Sequence, residues 1–200
     1  MNRKLEIIDL STKTIKLCGK RETGSNIENI IILNTGCTDI GVEHVIEAFK
    51  SKNCSVNYFI DLDGKIYRII PEEKRAWSTA NSYMDSRSIT IMVENNVCSL
   101  DTLFKSIKVD TTRINIATEI SLEQLCRNIM DKYNISELKF NSNLGNFRYF
   151  VPMMNANAKR LSVSDKDPEL YIKTVYENYP NHWIPINMER IAKEINSNIF

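Results

Sequence analysis

The side chains able to hold a metal ion or attack a carbonyl are few and scattered. Two histidines, His44 and His182, and five cysteines, Cys18, Cys37, Cys54, Cys98 and Cys126, are spread over 200 residues. A hydrolytic zinc takes three protein ligands and keeps a fourth position open for water. No C-x-x-C spacing offers a thiolate knuckle, and an odd, unpaired set of cysteines points to free thiols in a reducing compartment.

Each remaining candidate has a plain alternative. Cys37 is a possible nucleophile, but a reactive thiol needs a base or a cationic neighbour, and no nearby histidine supplies one. His44 falls beside Glu43 and Glu47 on the polar side of an expected helix, where a histidine is usually just solvated. His182, in "NYPNHWIP", reads as a partly packed loop residue next to Trp183. Asp167, in "KDPE", is either a helix N-cap followed by Pro at the first helical position or a functional carboxylate.

The elements that would position these residues show in the hydrophobic pattern. "NIIILN", Asn29 to Asn34, is a continuous apolar run suited to a strand buried on both faces. Val42, Val45, Ile46 and Phe49 recur at helical spacing from Gly41 to Lys52. "VNYFIDLDGKIYRII" gives two β-rich runs around Asp63-Gly64, a hairpin turn pair. "SITIMVEN", Ser88 to Asn95, is a second buried strand. Leu122, Leu125, Cys126, Ile129 and Met130 form one helix face between Ser121 and Tyr133, with Ser121 and Gln124 as a capping box at its start.

Beyond that helix, "FNSNLGNFRYFVPMMNANAK" lacks a clear period and is expected to be a long loop with one short strand. "DKDPELYIKTVYENYP" and "INMERIAKEINSNIF" read as two closing helices, the second with Ile191, Ala192 and Ile195 inward. The fold class expected is mixed α/β, a central mixed sheet with a hairpin, covered by helices.

With 42% hydrophobic and 26% charged residues, one soluble globular domain spanning 1–200 is expected. Its parts are an N-terminal extension over 1–28, a core over 29–170 and C-terminal helices over 171–200. Lys and Arg (26) nearly balance Asp and Glu (25), which argues against nucleic acid or an anionic membrane as partner. The N-terminal stretch lacks the apolar core of a signal peptide, and no apolar run approaches a bilayer span.

The order of these pieces resembles the zinc-dependent N-acetylmuramoyl-L-alanine amidases of type 2, a family that includes the peptidoglycan recognition proteins and many phage endolysins. "IIILNTG" is similar to the family's I-V-I-H-H-T strand, and "SITIMVEN" to S-I-G-I-E-L-V-N. "KDPE" stands where K-x-D-P-G is common. The specific match is "VNYFIDLDGKIYRIIPEEKRAW", which resembles Y-H-F-L-I-D-x-D-G-x-I-Y followed by A-W. The resemblance implies a cleft for the peptide stem of peptidoglycan, bordered by this hairpin and Trp77, although a lone Trp is also a common packing residue.

It also implies a zinc ion held by two histidines and a cysteine or aspartate, and here the sequence departs. The first ligand falls on Leu33, or on Asn34 if the register slips by one, and the second near Asn141 or Ser142. Only the third, Asp167, matches. The family's Tyr and His of Y-H-F become Val56 and Asn57, its Glu becomes Met92, and the His after A-W becomes Ser78. No cofactor and no catalytic residue are therefore expected.

Asn34, Thr35, Asn57, Trp77, Ser78 and Asn141 remain as cleft candidates for binding a muropeptide or peptidoglycan fragment. The same fold reused for contact with a protein partner is the variant. An active amidase rearranged around Asp167 or Cys37 is the alternative. The expected location is the cytoplasm, or release as a phage-type lysin.

Overall fold

The computed structural model describes residues 5–35, 40–79, 82–94, 115–137, 140–141, 146–147 and 188–197. Five strands build the main sheet: β1 (Ile7–Asp9), β3 (Asn29–Asn34), β4 (Tyr58–Ile60), β5 (Ile66–Arg68) and β7 (Ser88–Val93), in the order β1-β5-β4-β7-β3. β3 and β4 both run parallel to β7, β1 runs parallel to β5, and the β4–β5 hairpin is antiparallel. The sheet is mixed, as expected. Two small ribbons flank it: β2 (Cys18–Lys20) with β6 (Lys74–Ala76), and β8 (Phe140–Asn141) with β9 (Asn146–Phe147).

The apolar run of β3 is buried on both faces because successive side chains alternate. Ile30 and Ile32 enter one cluster with Leu122, Leu125 and Ile129 of helix α4 (Ile116–Tyr133) and Ile195 of helix α5 (Met188–Ser197). Ile31 and Leu33 enter the opposite cluster with Val45, Ile46 and Phe49 of helix α2 (Gly41–Lys52). The result is three layers, α2, sheet, and α4 with α5. Two shorter helices, α1 (Ser11–Thr14) and α3 (Ser82–Ser86), complete the described set.

Two expectations are corrected here. Helix α4 begins before Ser121: Asn115 is its N-cap and accepts from Ala117 N. Ser121 is engaged elsewhere, its Oγ donating to Gly64 O at 2.5 Å in the hairpin turn. The segment 1–28 supplies edge strand β1 and the ribbon strand β2. Arg21 anchors it, donating to the carbonyls of Glu72, Asp85, Ser86 and Ser88. In the Asn-rich stretch the two-residue strands β8 and β9 pair where one short strand was expected. The first closing helix expected, 165–180, lies outside the described residues.

The hairpin turn is fixed from both sides. Gly64 has φ +77°, a conformation glycine adopts without strain, and Asp61 Oδ1 accepts from Lys65 N at 2.8 Å. The start of α4 then holds the turn: Thr118 Oγ1 donates to Asp61 O at 2.7 Å and Asn115 Nδ2 to Leu62 O at 3.0 Å.

Candidate functional site

Parallel neighbours β3 and β7 send the chain to opposite sides of the sheet. β3 is followed by α2 on one face, and the next described helix after β7 is α4 on the other. In open α/β sheets the usual ligand position is outside the carboxyl ends of two strands at such a switch. Thr35 N donates to Val93 O at 3.1 Å and Glu94 N to Ile60 O at 2.9 Å, which brings the ends of β3, β7 and β4 to one edge. Glu94, almost fully buried, also accepts from Ile40 N at 2.7 Å and so ties the start of α2 to this edge. A carboxylate there suits the partial positive charge of the helix N-terminus.

The structure separates the sequence candidates into two groups. Leu33, Val56 and Met92, where the resemblance puts a ligand histidine, a tyrosine and a glutamate, are all buried in the apolar cluster beneath α2. Leu33, 0% exposed, belongs to this core. Asn57 and Ser78, expected in the cleft, are interior struts instead. Asn57 is 0% exposed. Its Nδ2 donates to Ile70 O, Pro71 O and Lys74 O at 3.3–3.5 Å, and its Oδ1 accepts from Thr90 N at 3.0 Å. These bonds satisfy main-chain groups where the hairpin turns into β6, which a buried amide does well.

Ser78 Oγ donates to Asp85 Oδ1 at 2.9 Å and lies 2.8 Å from Thr90 Oγ1. Asp85 Oδ1 also accepts from Thr79 N at 3.0 Å and Thr79 Oγ1 at 2.8 Å. Burial pushes the Asp85 carboxyl up to about 6, with these hydrogen bonds opposing part of the rise. No spacing rule in the sequence points to Asp85, whose side-chain partners are the adjacent Ser78 and Thr79.

Trp77 is half-buried, and its backbone N–H donates to Ser55 Oγ at 2.9 Å. Arg75 precedes it by two residues on the face of β6 turned away from Ala76, which belongs to the apolar cluster. Opposite Arg75 in register stands Gly19. The structure describes Asn34 and Asn141 by backbone alone, at the end of β3 and in β8. His44 is exposed on α2. Cys37, Ser142, Asp167 and His182 lie outside the described residues.

Among the described residues, the side chains grouped closely enough to share a cation are Glu119, Glu123 and Glu194, between α4 and α5. They pair with arginines: Arg190 with Glu119 and Glu194, and Arg127 with Glu123. Burial, then the Glu194 carboxyl, pushes Glu123 up to about 7. This is an ion-pair seam between two helices. A groove of about 670 Å³, lined by Asn26, Glu28, Tyr133 and Ser136 among others, lies where the chain enters β3 and leaves α4. Beside it Glu72 accepts from Tyr58 Oη at 2.6 Å, Tyr133 Oη at 2.8 Å and Lys132 Nζ at 2.5 Å. Burial raises the Glu72 carboxyl, but those three bonds outweigh it and hold the group below its ordinary value.

The architecture is shared with solved endolysins. The endolysin N-acetylmuramoyl-L-alanine amidase LysCS from Clostridium intestinale URNW superposes with a TM-score of 0.52 at 20% identity, over 68% of this chain and 80% of that one. LysC of the same organism gives 0.52 at 14% identity, over 88% of this chain and 99% of that one. The Ph2119 endolysin from Thermus scotoductus MAT2119 bacteriophage Ph2119 gives 0.50 at 14%, over 64% and 80%. Identities this low speak for the fold alone. None of the curated proteins matches the sequence significantly. The family model for N-acetylmuramoyl-L-alanine amidase matches residues 23–145, from just after Arg21 to the short ribbon beyond α4. Since that match spans more than half of the chain and its strands and helices stand in the family's arrangement, the protein belongs to the N-acetylmuramoyl-L-alanine amidase family.

Proposed function

We propose that this protein is a non-hydrolytic member of the family, one that holds a peptide stem of peptidoglycan without zinc and without cleaving it. The observation that carries the reading is the shared burial of Leu33, Val56 and Met92 in one apolar cluster. A leucine side chain has no donor atom for a metal. A site missing that ligand falls short of the three that hydrolytic zinc uses, and most of the binding energy goes with it. General acid or base work needs a titratable group within hydrogen-bond reach of the reacting atoms; valine and methionine cannot supply one.

Asn57 and Ser78, which stand where the resemblance puts histidines, serve the frame through internal hydrogen bonds. Binding requires less than catalysis: a concave edge with an aromatic wall and a few polar groups suffices. Trp77, half-buried beside Ser55, offers an aromatic side chain, and Thr35 lies at the carboxyl ends of β3 and β7.

The test is elemental metal analysis after dialysis against trace zinc, run beside assays of stem release and co-sedimentation with insoluble peptidoglycan. The expected result is no stoichiometric zinc, no released stem and retained co-sedimentation. Near-stoichiometric zinc together with released stem would overturn the reading and return attention to Asp167 and Cys37.

A further inference from the structure

Helix α5 meets helix α4 through a seam in which two carboxyl groups touch. Glu123 of α4 and Glu194 of α5 are hydrogen-bonded to each other through their side chains, and their oxygens, with one of Glu119, lie within 4.8 Å of one another. An ionised carboxylate only accepts, so a bond between two such groups exists only while one of them keeps its proton. Close approach of two like charges in a partly buried place disfavours the doubly ionised form.

The neighbouring charges decide which group holds the proton. Arg190 pairs with Glu119 and, Nη1 to Oε1 at 2.6 Å, with Glu194. That contact, then the bond from Glu123, holds the Glu194 carboxyl below its ordinary value. Arg127 Nη2 stands 3.6 Å from Glu123 Oε2, beyond hydrogen-bond reach, and donates instead to the Glu194 main-chain carbonyl at 3.1 Å. Glu123 is left with the proton: burial, then the Glu194 carboxyl, raises it, with Arg127 opposing and Glu119 adding. Among the other described groups on these two helices, Lys193 is exposed, and burial holds the Cys126 thiol up, in its neutral form. The apolar cluster that receives Ile195 contributes no charged group.

Docked helices therefore bind this proton more tightly than separated ones. The stability that Glu123 contributes is complete below its ordinary 4.5 and is lost as pH rises through about 7. Glu194, held low, contributes the reverse, present above 4.5 and lost as pH falls. Together they make the seam tightest in mildly acidic solution. We infer that the Glu123–Glu194 carboxyl pair is a proton-dependent latch, which fastens α5 to α4 while the shared proton is in place and loosens it when the proton leaves. Loosening uncovers the cluster in which Ile195 sits with Leu122 and Cys126.

The experiment is hydrogen exchange read by mass spectrometry at pH 6 and pH 8, with a chelator present and each rate corrected for the intrinsic effect of pH. Protection of the peptide over 188–197 is expressed relative to that of α2, which lies on the other face of the sheet. In wild type this relative protection is expected to fall about tenfold between the two pH values, the ratio that a proton held to about 7 implies. Glu123→Gln, whose amide donates to Glu194 at every pH, should show no such fall.

Equal relative protection at pH 6 and pH 8 in wild type would overturn the latch, and so would the same fall in wild type and Glu123→Gln. A carboxyl carbon NMR titration of wild type, labelled at glutamate, stands independently of whether the variant folds. One glutamate titrating well above the ordinary carboxylate range is expected. All glutamates titrating at or below that range would overturn the latch.

Discussion

Leu33 and Met92 stand directly opposite each other on the parallel strands β3 and β7, both buried against α2. The pair closes, with hydrocarbon and a thioether, the place where the family resemblance puts a ligand histidine beside a glutamate. Leu33→Val should be well tolerated, whereas Leu33→His should destabilise the protein by roughly 2–4 kcal/mol, since an imidazole there finds no hydrogen-bond partner. Urea unfolding measures the loss. The same variant, assayed for zinc after dialysis, should remain metal-free, and zinc uptake from this one change would contradict the apolar-site reading.

Asn57→Ala should cost about 3 kcal/mol, because it strips Thr90 N and the carbonyls at Ile70 and Pro71 of a buried partner together. Asn57→Asp should be at least as damaging, as an acceptor then faces those carbonyls. A loss below about 1 kcal/mol in denaturant titration would show that water replaces the amide and that the position is free for a ligand.

Asp85 gives a pH signature. Its carboxyl is raised from the ordinary 3.8 to about 6 in the folded protein, so the folded state binds the proton more tightly than the unfolded state. The stability it contributes is complete below about pH 4 and is lost as pH rises through about 6. Wild type minus Asp85→Asn should therefore fall by roughly 2–3 kcal/mol between pH 4 and 7. Carboxyls held low in the fold, such as Asp9 bonded to Arg68 and Ser11, contribute the opposite slope and cancel in that difference. A flat difference across the window would show that Asp85 titrates normally.

Gly64→Ala should destabilise by about 2–4 kcal/mol. Its φ of +77° disfavours a side chain, and the added Cβ would meet Ala117 O at 2.5 Å, a main-chain atom of α4. Gly24, with φ +78° and open space around it, is the control and should lose only about 1 kcal/mol on the same change. Equal losses at the two sites would mean that α4 yields to the turn.

The sequence revealed the elements whose pattern is local and strong. β3, α2, the hairpin and β7 lie where their apolar runs and the Asp63-Gly64 pair suggest. The start of α4 was hidden because Ile116 and Ile120 face solvent, 74% and 52% exposed, and break the amphipathic pattern; Ser121 then looked like the cap. β1 and β2 are three residues each and find their partners far along the chain, so no period announces them. For the site, the missing donor at Leu33 could be read directly. That Asn57 and Ser78 face inward could not, because their partners become neighbours only once the sheet is assembled.

The pairing of β3 with β7 also governs how fast the chain reaches its native state. Asn29 must meet Ser88, and a long intervening loop loses much chain entropy before the contact returns anything. The β4–β5 hairpin lies within that loop and closes over a few residues, on the order of microseconds. A hairpin formed that early would supply a ready edge, since β7 is bonded to β4 and β3 to β7 in the finished sheet. Long-range pairing of this kind is expected to make refolding slow, and substitutions in the hairpin turn should slow refolding more than they speed unfolding.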